Sequence, residues 1–157
     1  LSISLRAEGP HGEGVFLTHA FTSSWLFAWC ERTFFGTPYV YADVQLDTTS
    51  PSMMATTKGA AKLEARAAQS PEPAAPVTEC WEGPIYLPRR PRDKASRYFW
   101  AKLAGPKRVF PASNGDKCLF QSARVCPALD ALNESNFTPG QWSIRTDGTH
   151  ARSKTLK

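Results

Sequence analysis

Around Gly14–Phe21 apolar residues fill both registers of a period-two pattern. Val15, Leu17, His19 and Phe21 follow one register, and Phe16, Thr18 and Ala20 the other. A strand apolar on both faces packs on both sides, so residues 14–21 are predicted to be central in a sheet. The opening Ser2-Ile3-Ser4-Leu5-Arg6 already alternates like a strand. Ser23 or Ser24 is then placed to cap a helix over residues 25–35, ended by Gly36. At about 100° per residue the apolar side chains of that helix cover nearly its whole circumference, which predicts burial on most sides. Glu31 lies one turn from both Phe27 and Phe35, so its carboxylate needs a partner.

Beyond Pro38 the pattern returns to period two. Val40, Ala42, Val44 and Leu46 make an apolar face, and Tyr39, Tyr41, Asp43 and Gln45 a polar aromatic one that a cavity or water can meet. Residues 53–57 and 60–67 read as a hairpin turning at Lys58-Gly59. A Pro/Ala-rich loop follows over residues 69–77. Residues 93–104 read as a second helix, with Ala95, Phe99, Trp100 and Leu103 on one arc and Lys94, Arg97, Tyr98 and Lys102 on the other, stopped by Gly105-Pro106. Short strands are expected at 109–110, 117–125 and 141–145, with turns at Asn114-Gly115-Asp116 and Asp147-Gly148.

Strands thus outnumber helices, and 157 residues at 41% apolar composition suit a single domain over residues 1–157 with a sizeable core. The four cysteines, Cys30, Cys80, Cys118 and Cys126, form no Cys-x-x-Cys pair and lack histidines at zinc-ligand spacing. They read as reduced core thiols, with one or two disulfides as the alternative, and no metal or cofactor is expected. No run reaches the roughly 20 apolar residues that cross a bilayer, and no signal peptide is legible. The expectation is a cytoplasmic protein with no membrane partner.

The net charge of +5 is concentrated. Residues 89–108 carry eight basic side chains against one acid, Asp93, a block that attracts anions unless it is only a solvated face. Aromatic residues interleave with it, yet Phe99 and Trp100 fall on the arc away from the bases, so nucleic acid is disfavoured. Asn133 and Asn136 begin glycosylation-type triplets, which carry little weight without a secretion signal.

The order Glu31-Arg32, Phe35-Gly36-Thr37-Pro38, Tyr39-Val40, then strand and hairpin, resembles the acetoacetate decarboxylase-like superfamily over roughly residues 14–67. It is most similar to an uncharacterised branch whose helix ends in Phe-Gly-x-Pro-Tyr and whose later helix carries Arg-Tyr, as Arg97-Tyr98 does here. The resemblance implies a mainly β (α+β) fold, a cone-like barrel with two or three helices and an internal cavity, in a chain shorter at its N-terminus than family members. It does not imply the decarboxylase reaction. That chemistry needs a lysine with a depressed pKa to form an imine, and Tyr39 and Val40 stand where the lysine pair would be. Lys58, Lys62 and Lys102 read as surface residues.

Glu31, Arg32, Tyr39 and Tyr41 are expected to converge at the cavity wall, because a short turn joins the helix end to the strand start. Arg32 and Tyr41 would orient a carboxylate or enolate, with Glu31 and Tyr39 in catalytic roles. The alternative is an internal ion pair holding helix to sheet. His19 is a candidate ligand contact or a satisfied core histidine, and Arg97 a further ligand-binding candidate. His150, Arg152 and Lys154 read most simply as a solvated basic tail. The expected function is binding of an acidic or oxygen-rich small molecule, with or without lysine-independent catalysis. The alternative is an interaction module whose basic helix docks an acidic protein or nucleic acid. Exposed strand edges make a homodimer an expectation.

Overall fold

The computed structural model describes residues 2–47, 51–57, 62–68, 75–91, 93–121, 140–145 and 147–156. The Lys58-Gly59 turn, most of the 69–77 loop, Arg92, Cys126, the end of the 117–125 strand, and Asn133 and Asn136 lie outside the described residues.

The chain is mostly β and divides into two compact units. The first comprises Leu1–Tyr41, Glu79–Gly105 and Gly148–Lys157; the second comprises Ala42–Thr78 and Pro106–Asp147.

The first unit opens with an antiparallel pair, β1 (Ser2–Gly9) and β2 (Gly12–Thr22). The opposite edge of β2 pairs in parallel with β7 (Val77–Leu87) through Val15 and Phe16. Further along, the same edge pairs with β3 (Tyr39–Tyr41) through Ala20, Phe21 and Thr22. β2 is therefore central, as its two apolar registers require. β8 (Arg97–Pro111) lies beside β7, and β11 (Thr149–Arg152) pairs antiparallel with β8. Leu17, Ala20, Leu87, Phe99 and Ala101 form the core, with Tyr39, Trp81 and Ile85 packed against it. Fully burying a side chain such as Leu17 or Phe99 contributes about 1.5–3 kcal/mol.

In the second unit β4 (Asp43–Asp47), β5 (Ser52–Thr56), β6 (Lys62–Arg66) and β9 (Lys117–Gln121) form an antiparallel sheet in that order. β10 (Gln141–Ile144) pairs with the last residues of β8. Leu63 and Ala65 are buried on β6, as the hairpin pattern predicts. Leu46 is not: it is exposed, although Ala42 is buried and Val44 half-buried in the same register. Among the described residues neither sheet closes on itself.

The second helix is not formed. Residues 97–104 lie in β8, where Phe99 and Ala101 are buried and Trp100 and Lys102 exposed, a period of two. The same apolar residues fit both periods, and pairing with β11 together with the strand preference of Tyr, Phe and Trp selects the extended form. The bases consequently share no helical arc. Gly105-Pro106 does not stop the element either. Gly105 takes φ 148°, a conformation L side chains rarely adopt, and the strand continues through Pro106.

The first helix forms, as α1 (Trp25–Cys30) continued by a π-helical turn at Glu31–Phe35, but it is not buried on most sides. α1 packs on β2 and β3 by one face. Ala28 is buried, whereas Trp25, Leu26, Phe27, Trp29 and Phe34 remain exposed. Among the described residues this is the one α-helix, against the two or three that the resemblance implies. No described helix is long and apolar enough to cross a membrane.

The three described cysteines are not core residues: Cys30 and Cys118 are half-buried and Cys80 is exposed, all three as free thiols. Nor is the C-terminal segment a solvated tail. β11 belongs to the sheet, and Leu156 bridges Tyr98 through paired backbone hydrogen bonds of 3.1 and 2.7 Å.

Candidate functional site

Ser24 caps α1 by accepting the Phe27 N–H at 3.3 Å. At the other end Gly36 adopts the left-handed conformation, φ 66°, and the Thr37 N–H returns to the Glu31 carbonyl at 3.1 Å. Helix ends leave carbonyls without intrahelical donors, and cations satisfy them best. Arg97 does so here: its Nη2 donates to the carbonyls of Phe35 and Gly36 at 2.9 and 3.0 Å. Thr155 Oγ1 also donates to Phe35 O, at 2.9 Å.

The buried Glu31 finds its partner in the C-terminal segment. Its Oε2 accepts from Thr37 Oγ1 at 2.7 Å and from Arg152 Nη1 at 2.9 Å. The Arg152 guanidinium lies over the rings of Phe35 and Phe99, 4.3 and 4.6 Å from their centroids. Tyr39 is close enough to feel both charges. Burial foremost, and then Glu31, push its phenol above the usual value, with Arg152 opposing. This is an internal electrostatic lock, the alternative that the sequence left open.

A separate cleft of about 710 Å³ opens on the outer side of the same helix end. Arg32 of the π-helical turn, Arg89 and Arg90 from the loop after β7, and Arg97 at the start of β8 line it. Trp25 and Trp29 from α1 and Tyr41 from β3 supply aromatic walls, and among the described residues no aspartate or glutamate reaches the lining. The arginines are held in place. Arg90 Nη2 donates to Arg32 O at 2.9 Å, and the Arg90 N–H to Asp93 Oδ2 at 2.8 Å. Arg89 Nε donates to Asp93 O at 3.0 Å, and Arg97 Nε stands 3.7 Å from Asp93 Oδ2.

Arg97 is 4% exposed, and its Nη1 has no hydrogen-bond partner among the described residues. Burial first, then the neighbouring Arg90 charge, pull its guanidinium below the ordinary arginine value, with Asp93 acting in the opposite sense. Even so, a guanidinium stays charged at neutral pH. Gly36 makes this convergence feasible: a Cβ there would overlap Arg97 Nη2 and come within 2.6 Å of Arg90 Nη2. Guanidinium charge in excess of the single Asp93 carboxylate, beside aromatic walls, is chemistry for holding a planar anion.

The residues singled out by sequence therefore separate. Arg32, Tyr41 and Arg97 meet in the cleft, whereas Glu31 and Tyr39 belong to the interior. Glu31 is buried and Arg32 exposed, so the two do not serve one surface. His19 lies half-buried on β2, stacked on Phe21 at 6.5 Å, and burial lowers its pKa. It does not line the arginine cleft. Sequence reasoning missed Trp25 and Trp29 as site residues, since an apolar helix reads as core. It counted Arg89 and Arg90 only as part of a charge block, although Pro88-Arg89-Arg90-Pro91 marks a stiff loop. Lys62 and Lys102 are half-exposed and paired with Glu64 and Glu82, at 2.6 and 3.5 Å. Among the described residues no cluster of three or more His, Cys, Asp or Glu could hold a metal ion. Comparison with family models, with curated proteins and with solved structures finds no match to this chain.

Proposed function

We propose that this protein binds a small organic anion, an aromatic or otherwise planar acid, in the cleft between α1 and the Pro88–Pro91 loop. The observation that carries the reading is the convergence of Arg32, Arg89, Arg90 and Arg97 on a space that no carboxylate lines among the described residues. Arg97 and Arg90 form the floor, and Arg32, which is exposed, is the outer contact to the ligand. The rings of Trp25, Trp29 and Tyr41 take its apolar part. Binding is favoured over catalysis because Glu31, the nearest carboxylate in sequence, is committed to Thr37 and Arg152.

Membership of the acetoacetate decarboxylase-like superfamily, with its cone-like barrel, is part of the same proposal. Its support is the order of helix, Gly-x-Pro turn, strand and hairpin over Trp25–Arg66. Docking of an acidic protein or nucleic acid would use the same arginines and would fall steeply with salt.

The test is a thermal-shift screen of the whole chain against aromatic carboxylates, aliphatic dicarboxylates and 3-oxo acids. At about 100 times its dissociation constant a ligand adds roughly 2.7 kcal/mol, a midpoint shift of several degrees. One acid class is expected to produce that shift, and Arg32→Ala to abolish it with the unliganded midpoint unchanged. An undiminished shift in Arg32→Ala removes the site assignment.

A further inference from the structure

The rings that line one side of the cleft continue out of it over the surface of α1. Trp25 is 65% exposed, Leu26 54%, Trp29 51% and Phe34 68%. Trp29 and Phe34 stand edge to face, 5.6 Å between centroids. We propose that this face docks on an anionic lipid surface, with the α1 rings in the interfacial zone and the arginine cleft holding a lipid headgroup phosphate. The proposal rests on the reading of the cleft as an anion site and names the source of the anion.

Three observations carry it. First, the exposed side chains at positions 25, 26 and 29 spread over about 100° of α1, and Phe34 of the π-helical turn extends the patch. Trp25 and Trp29 also border the cleft, while Leu26 and Phe34 carry the ridge beyond it. A protein partner must offer a matching groove, whereas a bilayer interface accepts a convex apolar ridge to a depth of about 5–10 Å. Second, the ridge is rich in tryptophan, whose ring has an apolar body and a polar N–H and favours the headgroup level.

Third, the charge is complementary. From Phe21 to Ala42 the sole acidic residue is Glu31, which is buried and paired with Arg152, and from Gly83 to Pro91 there is none. Arg32, Arg89 and Arg90 therefore meet the membrane with no carboxylate among the cleft-lining residues to repel it. Each basic residue near an anionic leaflet adds attraction that decays within a Debye length. Surface docking of this kind needs no spanning helix.

The experiment is co-sedimentation of the whole chain with vesicles of pure phosphatidylcholine, and with vesicles in which about a third of the lipid is phosphatidylserine. Tryptophan emission is read in parallel. At physiological salt the expected result is at least tenfold stronger binding to the anionic vesicles, with a blue shift. Leu26→Ser/Phe34→Ser changes two exposed residues outside the cleft. It should lose vesicle binding by about tenfold or more and keep the thermal shift with a soluble acid.

Equal binding to both vesicle types overturns the headgroup assignment, and wild-type binding by the Leu26→Ser/Phe34→Ser variant overturns the ridge. Absence of vesicle binding with the soluble-acid shift intact overturns the membrane proposal and leaves the cleft reading standing. Absence of both removes the cleft reading as well. Glycerol phosphate displacing the chain from vesicles supports a shared phosphate site. Concentration-dependent dimerisation abolished by Phe34→Ser, with no vesicle binding, makes the occupant a second copy of the chain and overturns the proposal.

Discussion

Arg152, on the last strand, donates through Nη1 to Glu31 Oε2 at 2.9 Å, at the junction where α1 passes into its π-helical turn 121 residues earlier in the chain. The contact ties the C-terminal segment to the helix end that borders the cleft. Both side chains are largely withdrawn from water, so the pair offsets its desolvation only while both members and the Thr37 hydroxyl are present.

Removing one member should therefore cost more than the pair contributes. Arg152→Ala is expected to lower unfolding free energy by about 3 kcal/mol, since it leaves an uncompensated buried carboxylate and empties the space over Phe35 and Phe99. Glu31→Gln/Arg152→Ala should cost less than the sum of the two single changes. Urea unfolding of the four proteins measures the coupling, and strictly additive effects would show that the contact is energetically idle.

Tyr39 reports on the same lock. With its phenol pushed up by burial and by Glu31, it should ionise above the ordinary tyrosine range in an absorbance titration, and Glu31→Gln should move that ionisation down. The folded state binds this proton more tightly than the unfolded chain. The contribution to stability is thus complete below the ordinary tyrosine pKa of about 10 and is lost as pH rises through the folded value. A Tyr39 titration unaffected by Glu31→Gln would place the phenol outside the field of the carboxylate.

Gly36→Ala tests the cleft floor. The left-handed backbone and the collision with Arg97 and Arg90 act together, and a loss of about 2–3 kcal/mol is expected. Anion-induced thermal shifts should disappear in the same variant because the guanidinium pair is displaced. A stable Gly36→Ala protein with full anion response would contradict the described convergence.

In the second unit Asp116 accepts from Trp142 Nε1 at 2.6 Å, from the Ala68 and Ser113 N–H groups at 3.0 Å each, and from Ser113 Oγ at 2.7 Å. The Trp142 hydrogen bond foremost, and then the backbone donors, hold its carboxyl well below the usual carboxylate range. Its stabilising effect is present above the unfolded carboxyl pKa of about 3.9 and is lost as pH falls through the depressed folded value. Asp116→Asn should unfold more readily than wild type at neutral pH, with the difference narrowing in strong acid. Trp142 emission followed through urea titrations at several pH values provides the measurement. A pH-independent difference would assign the effect to packing.

Sequence pattern was most legible where local geometry decides the outcome. Ser24, Gly36 and Pro38 punctuate the helix through capping, left-handed backbone and a restricted φ. β2 declares itself by apolar residues in both registers, and β6 by the alternation of Leu63 and Ala65 with Lys62, Glu64 and Arg66. At residues 93–104 the pattern satisfied two periods, and the sheet chose between them by supplying hydrogen bonds to β8. Thr149–Arg152, with a single apolar alanine, carries no strand signal of its own and is a strand because β8 offers it an edge.

The amino-acid sequence by itself determined that the protein is mainly β, that a helix ends at Gly36 with a carboxylate needing a cation, and that positive charge crowds residues 89–108. Those are consequences of periodicity, steric limits and composition, each contained in a short stretch of chain. Only the tertiary structure decided that Arg152 answers Glu31, that Arg32 and Arg97 share a cleft from which Glu31 and Tyr39 are turned away, and that the α1 rings face outward. Choosing a partner for a charge, or a covering for an apolar side chain, depends on which distant segments the sheet brings together. No local pattern encodes that choice.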